Sequence, residues 1–185
     1  ALGELRQEVA RQQGLADPDL LIYAFVIDFP LFEAEQKDGR WDSTHHPFTS
    51  PLTQDIPLLS SDPGAVTAQA YDMVCNGYEM GGGSIRIHNK ELQEQIFELL
   101  GVQKETMENQ FGHLLSALES GAPPHGGIAM GIDRIAMILA GEDNLREVIA
   151  FPKTQGATDL LFGAPSSVEQ NQLDDLHLRV VDSKD

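Results

Sequence analysis

The chain is poor in the features that would place a protein outside the cell or across a membrane. It holds a single cysteine, Cys75. No internal disulfide can therefore form, and such usage suits a reducing cytoplasm. No apolar run approaches the length that spans a bilayer, and no charged-then-apolar leader opens the sequence. The chain starts at Ala1, already inside an expected helix, and reads as a piece of something longer. Basic residues are scarce: 12 Lys and Arg stand against 29 Asp and Glu, a net charge of −17. A surface so acidic excludes a broad electrostatic footprint on nucleic acid. An anionic ligand must instead be held by a few placed arginines and backbone amides, helped by a divalent cation. For most of the acids, solubility is reason enough. The chain has no Ser-His-Asp set, no P-loop and no dinucleotide fingerprint. His45 and His46 are adjacent, with no cysteine or third histidine at ligand spacing, which argues against zinc. Internal repeats and low-complexity segments are also missing.

What is present is an ordinary globular composition over 185 residues, enough for one domain with one core. Leu2, Leu5 and Val9 recur at helical spacing over 2–13, with Gly14 as the stop. Leu20 to Phe29 is a continuous apolar run and is expected as a buried strand. Asp38-Gly39 marks a surface turn in the charged stretch from Glu33 to Trp41. Pro47 to Pro63 is rich in Pro, Ser, Thr and Asp and reads as a long loop, of the kind that serves as a lid or binding segment. Asn76-Gly77 between Ala70–Cys75 and Tyr78–Met80 is a strong hairpin signal. Asn89 caps a helix to about Leu100, with Leu92, Ile96 and Leu99 inward and Gly101 ending it. A second helix over 104–120 turns Met107, Phe111, Leu114, Leu115 and Leu118 to one side. After the break at Gly121–Gly127 come a strand and another helix, and a short helix is expected near Asn171–Leu178. Strands and helices do not alternate regularly. The fold class is therefore α+β, an antiparallel sheet flanked by helices.

Three places in this frame carry chemistry. Gly127-Ile-Ala-Met-Gly-Ile-Asp-Arg134 is a glycine-bearing strand that delivers one arginine to the mouth of a helix. Glycine admits close approach and arginine offers a permanently charged fork, so the combination points to a nucleotide. The plain alternative is a strand–helix junction in which Asp133 and Arg134 pair. In the hairpin, Val74 pairs with Glu79, and Asp72 shares Val74's face because side chains alternate with period two. Asp72 and Glu79 thus lie diagonally on one face, suited to Mg²⁺ carrying phosphates, or they are two solvated acids. Arg86 lies an odd number of residues after Glu79 and belongs on the opposite face under strict alternation. One extra residue at the Gly81-Gly82-Gly83 run flips that parity, and Arg86 then joins the acids, able to grip a carboxylate. Otherwise the glycines are a hinge and Arg86 a surface residue. A histidine of the 45–46 pair suits a hydrogen bond to a bound anion, and His125 reads as a turn residue.

Five segments carry a resemblance: Val26-Ile-Asp-Phe-Pro-Leu-Phe-Glu33, His45-His-Pro-Phe-Thr-Ser-Pro51, Asn76-Gly-Tyr-Glu-Met-Gly-Gly-Gly-Ser-Ile-Arg-Ile-His88, Gly126-Gly-Ile-Ala-Met-Gly-Ile-Asp-Arg134 and Gly141-Glu-Asp-Asn-Leu-Arg-Glu-Val-Ile-Ala-Phe-Pro-Lys153. In order and spacing they resemble the C-terminal part of the catalytic domain of bacterial-type aspartyl-tRNA synthetases, across residues 1–185. Residues 1–25 resemble the stretch after the inserted domain of those enzymes. The resemblance implies roles. Gly131, Ile132, Asp133 and Arg134 match the third class II signature, whose arginine holds ATP and is the catalytic candidate. Asp72 and Glu79 match the acids that hold ATP's magnesium, Arg86 the reader of the aspartate side chain, and His45 a histidine of the loop over the amino acid. The implied partners are L-aspartate, ATP, Mg²⁺ and tRNA, in a cytoplasmic parent enzyme that is a homodimer. An asparagine-specific relative is disfavoured because Arg86 suits a carboxylate. The first two class II signatures, the anticodon-binding domain and the flipping loop with its lysine are not found here. The isolated chain is accordingly expected to be inactive or nearly so. The rival is a truncated, non-catalytic paralogue that binds an adenylate-like ligand or a protein partner.

Overall fold

The computed structural model describes residues 2–15, 17, 19–33 and 39–181. The turn expected at Asp38-Gly39 involves Asp38, which lies outside them. The chain forms two compact units, 1–135 and 136–185, rather than the single domain its length suggests. Among the described residues no helix is long and apolar enough to cross a membrane.

The first unit is built on a four-stranded antiparallel sheet in sequential order. Its strands are β1 (Tyr23–Val26), β2 (Ala70–Cys75), β3 (Tyr78–Ile85) and β4 (Gly126–Met130). The β2–β3 turn is Asn76-Gly77, with φ of 49° and 88°. Both values are positive, as a type I′ turn requires. The Asn76 side chain also fixes the preceding segment. Its Oδ1 accepts from the Ile22 amide at 2.9 Å and its Nδ2 donates to the Leu20 carbonyl at 2.9 Å. Helix α1 (Leu2–Gln12) has no buried residue.

Helices α2 (Lys90–Leu99) and α3 (Lys104–Glu119) form where their apolar spacing and caps predict. Asn89 accepts from the Leu92 amide at 2.8 Å, and Gly101 ends α2 at φ +73°, a conformation that favours glycine. Ile96 and Phe97 of α2 are buried, as are Met107, Leu115 and Leu118 of α3. Phe97 stacks on Phe111 at 4.7 Å between ring centroids, with Phe48 edge-on to both.

Two expectations fail here. Segment 47–63 is not a lid. It holds 3₁₀ turns at Thr53–Ser60 and Pro63–Ala65, and Leu59 joins Leu31, Phe32, Val66, Ala68, Ala70, Ile87 and Ile96 in the core. Its prolines mark turns within packed structure rather than a free loop. The apolar run before Phe29 is not a buried strand either: β1 is exposed along its whole length and pairs only with β2. An apolar run records what a strand can bury, not what covers it.

In the second unit Met137, of helix α4 (Ile132–Ala140), is the only described residue that is buried. A short helix α5 (Gln170–Asp175) carries a capping box between Glu169 and Gln172.

Candidate active site

The site lies on one face of the β2–β3 pair, and one irregularity sets it. Val74 pairs with Glu79 but Met73 pairs with Gly81, so Met80 is an extra residue on β3. This bulge reverses the alternation after Glu79. Gly82, Ser84 and Arg86 then follow Glu79 on the same face. A Cβ built on Gly82 would sit 2.6 Å from Asp72 Oδ1 and 3.5 Å from Glu79 Oε1. Glycine at this position keeps open the space that the two carboxylates share.

Asp72 faces the Glu79 carboxylate across this space, and only Glu79 has an ion-pair partner, Arg134. Burial, and then the charge of Glu79, push the Asp72 carboxyl above the ordinary carboxylate range, with His45 acting in the opposite direction. Mg²⁺ takes one or two carboxylates and completes its shell with substrate phosphates and water. The pair and the cleared space above Gly82 fit that demand. No group of three or more metal-ligating side chains occurs among the described residues.

Arg134 closes one end. Its Nη1 donates to the Glu79 carbonyl at 2.8 Å and lies 3.1 Å from the Glu79 carboxylate. The arginine thus pairs across to β3, and the junction reading with Asp133 as its partner fails. Gly131 anchors the start of α4 by donating its amide to the Met80 carbonyl at 2.7 Å. That amide is spent and is not free for a ligand. Ile132 is 70% exposed, and Asp133 is exposed; neither touches the cluster.

Arg86 closes the other end, half-buried. Its amide donates to the His125 carbonyl at 2.9 Å, while Ser50 and Ile87 amides bond Ile85 and Phe48 carbonyls across to the loop at 2.9 and 3.0 Å. That loop delivers both histidines. His45 packs edge-on against Phe29 at 4.8 Å. His46, which the sequence pattern did not single out, has Nδ1 3.0 Å from Arg86 Nη1. Nothing in an adjacent His-His pair says which ring points inward; the bridge between Thr49 and Arg86 decides it. Among the described residues no carboxylate pairs with Arg86. A half-buried guanidinium without a carboxylate, on the same face as the Asp72–Glu79 pair, can hold a ligand that carries both a carboxylate and a cation-bound phosphate.

Comparison with known proteins places the chain in a family. The family model for class II tRNA synthetases (D, K and N) matches residues 5–155. An aspartate–tRNA(Asp/Asn) ligase of Dehalococcoides mccartyi (strain CBDB1) is 57% identical over 184 residues, which is 100% of this chain and 31% of that protein. An aspartate–tRNA ligase of Geobacillus kaustophilus is 53% identical over 98% of the chain and 31% of its own length. The chain thus spans about a third of the curated relatives it matches. Among solved structures, an aspartyl-tRNA synthetase from Entamoeba histolytica shares the fold at a TM-score of 0.54 and 22% identity, over 80% of this chain and 25% of that one. The asparaginyl-tRNA synthetase of the same organism, in complex with asparaginyl-adenylate, gives 0.55 and 21% over 83% and 29%.

Proposed function

Since the chain belongs to the class II tRNA synthetases of the D, K and N group, we propose that it is the C-terminal part of the catalytic domain of an aspartate–tRNA ligase. The parent activates L-aspartate with ATP to aspartyl-adenylate and pyrophosphate, then transfers the aspartyl group to tRNA. The observation that carries this reading is the single face that unites a guanidinium free of carboxylates, Arg86, with the Asp72–Glu79 pair and Arg134.

The chemistry needs no side-chain nucleophile. The aspartate α-carboxylate attacks the α-phosphate of ATP, and pyrophosphate leaves. Arg86 grips the side-chain carboxylate of the amino acid with a bidentate fork, and His45 helps the loop cover it. Arg134 turns from Glu79 to the nucleotide phosphates, where its charge offsets charge that builds on the leaving group. Asp72 and Glu79 would hold Mg²⁺, which would supply charge screening of the phosphate oxygens. Catalysis is positioning and neutralisation.

The parent is read as a cytoplasmic homodimer. Much of the nucleotide site, the anticodon-binding domain and the dimer contact lie in sequence not found in this chain. The rival reading, a non-catalytic paralogue, draws no support from relatives that are named as ligases.

Aspartate-dependent ATP–pyrophosphate exchange tests the proposal. The isolated chain should give none above background. The longer protein that carries it should exchange with aspartate and not with asparagine. Exchange driven by asparagine alone, or by neither amino acid, would sink the assignment.

A further inference from the structure

His46 has no role so far, yet its ring lies within hydrogen-bond distance of the Arg86 guanidinium. Two donors converge on its Nδ1: the Arg86 guanidinium at 3.0 Å and the Phe48 backbone amide at 3.1 Å. Neither can act as an acceptor, because a guanidinium stays protonated and an amide N–H only donates. The network therefore assigns the lone pair to Nδ1 and the ring proton to Nε2. Thr49 Oγ1 sits 3.4 Å from Nδ1 and 3.5 Å from Nε2, close to the ring but too long to reverse that assignment.

We propose that His46 is a positioning residue whose neutral ring, accepting at Nδ1, orients the Arg86 guanidinium without cancelling its charge. The inference rests on Arg86 as the group that reads a substrate carboxylate. The usual way to hold an arginine is an Asp or Glu, but a carboxylate there would satisfy the fork and compete with the ligand. It would also repel an incoming carboxylate. An imidazole nitrogen supplies one directional acceptor and no negative charge. The amino acid then meets an arginine already aimed and still fully positive. That difference favours an acid over its amide, because the amide gains little from the unspent charge.

The groups that hold the ring neutral are identified. Burial acts first, Arg86 from the segment after β3 second, and His45 from the same loop third, and together they lower the His46 pKa against a smaller opposing hydrogen bond to its own backbone. Protonation would set a new N–H against two donors and a positive charge beside a guanidinium.

A two-bond proton–nitrogen correlation spectrum of the nitrogen-15-labelled 185-residue chain reads the tautomer directly and needs no activity. The expected result is an unprotonated, pyridine-type Nδ1 at His46 that persists below the pH at which an ordinary exposed imidazole titrates. A proton on Nδ1, or titration like an ordinary exposed imidazole, overturns the proposal. In the full-length protein, His46→Leu removes the acceptor and His46→Asn returns one near the place of Nδ1. His46→Leu should raise KM for aspartate about ten- to a hundredfold, in line with a hydrogen bond to a charged group. It should leave kcat little changed and narrow the preference over asparagine, while His46→Asn recovers most of the loss. Equal losses in both variants, or a loss in kcat alone, also overturn it. If the protein shows no aspartate-dependent reaction, the ligase reading falls while the spectrum still decides the tautomer.

Discussion

The two ends of the site differ in how they are held. At the Arg86 end, the loop from His45 to Pro51 is bonded to the β3 extension on one side and packed over α2 on the other, with Thr49 and Pro51 buried. At the Arg134 end, the ion pair sits in the open, its side chains 45% and 50% exposed, and the neighbouring strand β4 is exposed at every position. The Arg86 end therefore rests on a packed core. The Arg134 end rests on β3–β4 pairing, beside apolar residues such as Ile128 and Met130 that stay in solvent. Under the proposed function, amino-acid selectivity would be built into packed structure and nucleotide handling into an open edge.

Substitutions can break that contrast. The largest effect belongs to the packed side. Phe97→Ala removes a ring that is 1% exposed and stacked on Phe111, and should cost about 3–5 kcal/mol in denaturant unfolding. Phe25→Ala, on β1 with its ring 60% exposed, should stay within about 0.5 kcal/mol. Similar values for the two would mean that β1 is covered in solution. Next comes Gly83→Ala, whose new Cβ would meet the Gly127 carbonyl and lie 2.8 Å from the Tyr71 ring. Pushing β4 away from β3 should cost about 1–3 kcal/mol and lower amide exchange protection along Gly126–Met130.

Gly82→Ala is subtler. Its Cβ meets the end of the Asp72 side chain rather than backbone, so the fold should survive while Mg²⁺ affinity, measured by calorimetry, falls. Asp72→Asn sharpens the point through pH. The Asp72 carboxyl is raised when folded, so the folded chain keeps that proton longer than the unfolded one. Its stability is then fully present below the unfolded value and declines as pH rises towards the folded value. Asp72→Asn should remove that decline and be no less stable than the parent at neutral pH. A loss of stability there would mean that Asp72 makes a favourable contact in the folded state. Arg134→Ala, which breaks an exposed pair, should also have a small effect and cost less than about 1 kcal/mol. A larger cost would place Arg134 among the structural supports of β4.

Sequence patterning reached the inner parts of this molecule and faltered at its margins. The Asn76-Gly77 hairpin, the α2 cap and the inward faces of α2 and α3 follow from local rules that need no partner. The glycine run pointed to a bulge, and the register places it at Met80, just before the first glycine. Leu20–Phe29 misled because its apolarity describes a surface to be covered by something else. Segment 47–63 misled because proline-rich composition hides long-range bonds such as Leu52 to Thr67 at 2.8 Å. Of the site residues, Asp72, Glu79, Arg86 and Arg134 were legible from parity and chemistry. The inward turn of His46 was not, since it depends on a bridge between residues 49 and 86 that no local pattern announces.

The bulge at Met80 carries a consequence for mutational tolerance. Between Glu79 and Arg86 the number of residues is constrained as well as their identity. Deleting or inserting one residue there would rotate every later side chain through half a turn about the strand and carry Arg86 to the reverse side. Variation in this stretch is therefore confined to replacement, and length polymorphism is closed to it. A library that samples single-residue indels across 80–85 should lose aspartate-dependent function at every position, even where the same residues accept exchange.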